Sequence, residues 1–133
     1  MIEVDLRSHV PVYVQIVERI GTLITGGALK PGDQLPTVRQ LATDLRVNFN
    51  TVARAYRLLD EAGVISTQQG RGTYVLEALP AERADRLRRA TLESLARSFV
   101  ADADRMGFSP DEVEQAWAQQ MSAWRAGAPA KEE

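Results

Sequence analysis

The chain contains no cysteine, and His9 is the only histidine among its 133 residues. Disulfides, thiolate nucleophiles and thiolate zinc sites are thereby excluded, and a histidine-based catalytic pair has almost no raw material. No metal and no cofactor is expected. A long apolar run is also missing, so no segment reads as a membrane-spanning helix. The start, MIEVDLRSHVPVYV, lacks the basic residues and apolar block of a secretory signal. A cytoplasmic protein is expected, formed by one domain or a domain with an appendage. Excess positive charge is absent too: the formal net charge is −2, which argues against indiscriminate binding to nucleic acid.

The positive charge that exists is local. Residues 34–59 carry Arg39, Arg46, Arg54 and Arg57 against the single acid Asp44, and residues 62–76 add Arg71 with no acid. A basic field confined to one stretch suits a protein that grips DNA through a few placed contacts.

That stretch has the organisation of a reading head. Thr37 and Gln40 stand in the S/T-x-x-E/Q relation of a capping box, so a helix is expected to start just after Pro36. Val38, Leu41, Ala42 and Leu45 follow the spacing of one buried stripe. Only Arg46 and Val47 separate this helix from Asn48, an N-cap residue for a second helix. There Val52, Ala55, Tyr56 and Leu59 form the stripe, and Gly63 supplies the left-handed stop. A turn this short makes the helices cross steeply, as in a helix-turn-helix. The 3.6-residue period then turns Asn50, Arg54 and Arg57 outward, with Asn48 and Thr51 at the exposed amino end. Asn pairs with N6 and N7 of adenine, Arg with O6 and N7 of guanine, and Thr or helix-end amides hold phosphate.

Around this core the pattern is simpler. Residues 1–10 read as a loose arm or a short strand, and Pro11 as the first position of a helix whose stripe is Val12, Ile16, Ile20, Leu23 and Ile24. Gly26 and Gly27 end it. From 64 to 76 a two-residue alternation predicts a two-stranded hairpin with Gly70-Arg71-Gly72 at its tip. There Arg71 is a candidate minor-groove or phosphate contact.

Taken together, PVYVQI, LKPGDQLPTVRQLA, VNFNTVARAYRLLDEAGVI and GRGTYV resemble the winged helix-turn-helix of the GntR family of bacterial transcription regulators, most of all its YtrA-type subgroup. The resemblance implies that Arg39 touches the DNA backbone and that Asn48, Phe49, Asn50 and Thr51 read bases. It also implies that Gln69, Gly70 and Arg71 form the wing tip. Three positions depart from such relatives. Phe49 replaces a proline and must either pack locally or contact DNA; Arg46 replaces a frequent glycine; Ala53 replaces a frequent basic residue.

Beyond Leu79-Pro80, residues 81–106 predict a long amphipathic helix with Ala84, Leu87, Thr91, Leu95, Phe99 and Met106 along one side. Gly107 ends it. Ser109, Pro110 and Glu112 announce another helix, whose stripe is Val113, Ala116, Trp117, Gln120, Met121 and Trp124. Two helices have too little shared surface to hide this much apolar area. A second copy of the tail is the simplest cover, with Leu87, Leu95, Phe99, Val113, Trp117, Met121 and Trp124 as contact residues.

The expected fold is therefore mainly α with a small β-hairpin: a winged helix-turn-helix domain at 1–77, a two-helix dimerisation module at 78–126 and an unstructured tail at 127–133. The expected function is a homodimeric repressor on a palindromic, inverted-repeat operator. A small tail leaves little room for an effector, and none is assigned. The competing reading is a winged-helix protein-interaction module without specific DNA binding. An enzyme is not expected, because capping and solubility account for Asp102/Asp104 and Asp111/Glu112/Glu114.

Overall fold

The computed structural model describes residues 2–76 and 81–128. Its elements run α1 (Val12–Thr25), β1 (Gln34–Leu35), α2 (Val38–Leu45), α3 (Phe49–Glu61), β2 (Ile65–Gln68), β3 (Gly72–Val75), α4 (Ala81–Arg105) and α5 (Pro110–Arg125). They divide into two units, Met1–Thr91 and Leu92–Glu133. The division falls inside the continuous helix α4, beyond the boundary expected near residue 77. Residues 77–80, which hold the boundary expected at Leu79-Pro80, lie outside the described residues, as do 129–133 of the expected tail.

In the first unit α1 packs against α3. It buries Ile16, Ile20, Leu23 and Ile24 as expected, but also Tyr13, Val14 and Val17, while Val12 is only half-buried. Pro11 is the cap rather than the first helical residue: its ψ is 142°, and its carbonyl accepts from Val14 N and Gln15 N. The amino-terminal arm forms no strand. Gln15 pins it instead, accepting from Asp5 N at 2.7 Å and donating to the carbonyls of Asp5 and Val10.

The helix-turn-helix is closed by local chemistry. Thr37 Oγ1 accepts from Gln40 N at 3.0 Å and Gln40 Oε1 accepts from Thr37 N at 3.0 Å, completing the capping box. Arg46 ends α2 in the left-handed region (φ 58°, ψ 44°), and Val47 N donates back to Ala42 O. Holding a non-glycine residue there costs about 1 kcal/mol. Asn48 then caps α3, its side chain accepting from Asn50 N at 2.7 Å. Gly63, at φ 76°, stops that helix. Leu58 is buried together with Val52, Ala55, Tyr56 and Leu59, so the buried arc of α3 is wider than one stripe. Tyr56 ties α3 to the segment leading into α2 by donating its hydroxyl to Pro36 O at 2.6 Å. Burial pushes that phenol well above its usual range.

The sheet has three strands, where a two-stranded hairpin was expected. β1 pairs antiparallel with β3 (Gln34 opposite Tyr74), and β3 pairs with β2 (Ile65 opposite Val75), in the order β1-β3-β2. A strand of two residues has no periodicity to read; its partner defines it. Val75 N donating to Asp33 O and Gly32 N donating to Val75 O extend the ladder at that edge.

In the second unit Gly107, at φ 88°, breaks the chain after α4. Ser109 and Glu112 then form the expected capping box of α5, with Pro110 in its first turn. Phe99 and Trp117 meet with ring centroids 5.5 Å apart. Little else is hidden, since α5 buries no residue of its own. No described helix is long and apolar enough to cross a membrane.

Candidate nucleic-acid interface

The amino end of α3 presents its polar groups outward. Asn48, Phe49, Asn50 and Arg57 are exposed, and Thr51 is half-buried. Asn48 spends its side-chain oxygen on the helix cap, which leaves its amide hydrogens for an acceptor. Asn50 sits on the same first turn, and Arg57 lies two turns further along the exposed side.

Arg54 departs from the expected outward position. It is half-buried, with its guanidinium 3.9 Å from the centre of the Tyr13 ring on α1. The reason lies one turn on. Leu58 is buried, so the row shared by residues 54 and 58 lies at the edge of the core. A cation over a ring face is held in place; Arg54 is aimed by α1 where a solvated arginine would sweep freely.

Phe49 also has a neighbour within the fold. It is 47% exposed, and the Arg39 guanidinium lies over its ring at 5.7 Å. The ring therefore packs locally and links the start of α3 to the exposed arginine of α2, while its outer half remains open.

The wing tip is Gln69, Gly70 and Arg71, all exposed. Its backbone is fixed from two sides, for the Arg71 carbonyl accepts from Tyr74 Oη at 2.8 Å and from Gln34 Nε2 at 3.2 Å. Gly72 makes this possible. Its φ is 117°, and a Cβ there would collide with the Gln34 amide. Sequence reasoning missed Gln34 and Tyr74 because their partner is a backbone carbonyl, which leaves no signature.

On the tail, Phe99, Trp117 and Trp124 are exposed at 45%, 53% and 61%. Leu95, Val113 and Met121 are half-buried. Leu87 differs from these, being buried in the single chain and so adding nothing to an open face. Leu92, Val100, Met106 and Phe108 join the exposed apolar set instead.

A helix pair joined by a short turn, an outward amino end carrying Asn48 and Asn50, and a wing bearing Arg71 on a three-stranded sheet together define a winged helix-turn-helix DNA-binding module. Residues 12–75 match the family described as "Bacterial regulatory proteins, gntR family". The chain is 37% identical over 123 residues to the transcriptional repressor YtrA of Bacillus subtilis (strain 168), covering 92% of this chain and 93% of that one. Among solved structures, YtrA from Sulfolobus acidocaldarius, a GntR-family transcription factor, superposes with a TM-score of 0.53 at 34% identity, over 91% of this chain and 97% of that one. A GntR family regulator from Listeria monocytogenes gives 0.52 at 34% identity, over 87% and 97%. The chain belongs to the GntR family, as a YtrA-type member, and is a sequence-specific DNA-binding transcription regulator.

Proposed function

We propose that the protein is a homodimeric cytoplasmic repressor without enzymatic activity, bound to an inverted-repeat operator. Residues 1–77 read the DNA and residues 78–126 pair the subunits. α3 enters the major groove, where Asn48 and Asn50 face adenine edges and Arg54 and Arg57 face guanine or phosphate. Thr51 and Arg39 hold the backbone, Phe49 offers its open ring edge to a thymine methyl, and Gln69, Gly70 and Arg71 lie along the minor groove. The observation that carries this is the exposed Asn48–Asn50 edge on a helix whose back is fully committed to the core. Repression follows the B. subtilis relative, which matches nearly end to end.

The exposed apolar set on residues 92–128 supports the dimer. Seven large apolar side chains there, from Leu92 to Trp124, are open to solvent, which for a lone chain is an association liability. A two-fold pair sets two copies of α3 on one duplex, with half-sites about 10 base pairs apart or a multiple of that. Selecting duplexes from fragmented genomic DNA of the source with the full-length protein tests the reading. Recovered fragments sharing an inverted repeat support it; recovery of random sequence rejects specific binding and favours the protein-interaction alternative.

A further inference from the structure

Arg46 is the residue whose placement the fold does not repay. It is the only non-glycine residue at positive φ among the described residues; every other such position is a glycine. The strain is not offset by its side chain. Arg46 is exposed, and its guanidinium makes no hydrogen bond, ion pair or ring contact among the described residues. Its backbone N–H, which donates to Thr43 O at 3.2 Å, makes a bond any residue would make. Charge does not favour it locally either, because residues 34–59 already hold Arg39, Arg54 and Arg57 against Asp44 alone. If only a helix stop were needed, glycine would do it without strain, and asparagine with less.

The location supplies the missing partner. Arg46 occupies the turn two residues ahead of Asn48, the cap of α3, and its exposed side chain has no partner among the described residues. We propose that Arg46 contacts a backbone phosphate of the operator beside the entry point of α3, exchanging folding stability for grip. This rests on the DNA-binding reading above. A guanidinium suits the role, since its planar fork matches phosphate oxygens. Contact with a phosphate carries no base information, so the gain applies equally to every sequence.

The test uses the full-length protein, one duplex recovered by the genomic selection and a scrambled duplex of the same length, with fluorescence anisotropy over a salt series and thermal unfolding in parallel. Arg46→Gly and Arg46→Asn are each expected to keep or raise the unfolding midpoint. Both are expected to weaken binding to the two duplexes alike, about five- to ten-fold per copy near 100 mM salt, and to lower the salt slope by about 0.9 per copy. Arg46→Lys is expected to retain the parental slope. Parental affinity and slope in the glycine and asparagine variants overturn the assignment while leaving the regulator reading intact. A lowered midpoint in Arg46→Gly overturns it too, by showing that the cation serves the end of α2. Failure of the parent to retain any duplex overturns the regulator reading and Arg46's role with it.

Discussion

The Arg54 guanidinium stacks 3.9 Å from the centre of the Tyr13 ring, joining the middle of α3 to α1. Tyr13 is 5% exposed, and its hydroxyl has no hydrogen-bond partner among the described residues. The ring thus contributes packing and a cation platform, while the buried hydroxyl is a cost of about 1–3 kcal/mol. Tyr13→Phe is predicted to raise stability by about 1 kcal/mol and to leave operator affinity unchanged. Tyr13→Leu, which removes the platform, is predicted to weaken operator binding several-fold. Urea unfolding and anisotropy check both; a destabilised Tyr13→Phe contradicts the account.

Asn48 caps α3 with its side-chain oxygen, and in the proposed interface its amide hydrogens are the atoms left for DNA. Because Asn50 N donates to its oxygen at 2.7 Å, aspartate is able to replace it as a cap. Asn48→Asp is predicted to keep stability within about 0.5 kcal/mol. It should also cost more than about ten-fold in affinity, through a carboxylate set against DNA. Asn48→Ala is predicted to lose about 1 kcal/mol of stability through the lost cap. Equal binding by Asn48→Asp and the parent removes Asn48 from the interface.

What was legible in the sequence was local. Thr37 with Gln40 and Ser109 with Glu112 announce helix starts because both halves of each capping box lie within one turn. Gly63 and Gly107 announce stops for the same reason. β1 was not legible, since Gln34 and Leu35 become a strand only by lying beside Tyr74 and Thr73. The half-buried state of Arg54 depends on Tyr13, far away in the chain, and on Leu58, which lies off the main stripe of α3. The Gln34 and Tyr74 bonds that fix the Arg71 carbonyl are likewise tertiary facts.

Gly72 holds the wing tip in a shape that an alanine resists. Its φ of 117° is the larger obstacle, because the Gln34 amide is able to swing aside once it gives up its bond to Arg71 O. Gly72→Ala is predicted to destabilise the sheet by about 1–3 kcal/mol. Amide exchange is expected to speed up across β3, and operator affinity to fall with the loosened wing. Unchanged exchange in β3 contradicts this.

Trp124 is 61% exposed, on a helix that buries no residue. Trp124→Asp is predicted to leave the unfolding midpoint of the winged-helix unit in place and to shift the mass in solution from dimer to monomer. Light scattering reads this directly. A parent that is already a stable monomer removes the proposed pairing of the tails.

The most direct test of the central claim is the ratio of affinities for the selected duplex and its scrambled counterpart, measured for the parent and for Asn50→Ala. Asn50 is exposed on the first turn of α3, and an Asn–adenine pair contributes about 1–3 kcal/mol of discrimination. The ratio is predicted to fall at least ten-fold in the variant while scrambled-duplex binding and the unfolding midpoint stay at parental values. An unchanged ratio would mean that this edge of α3 does not read the operator.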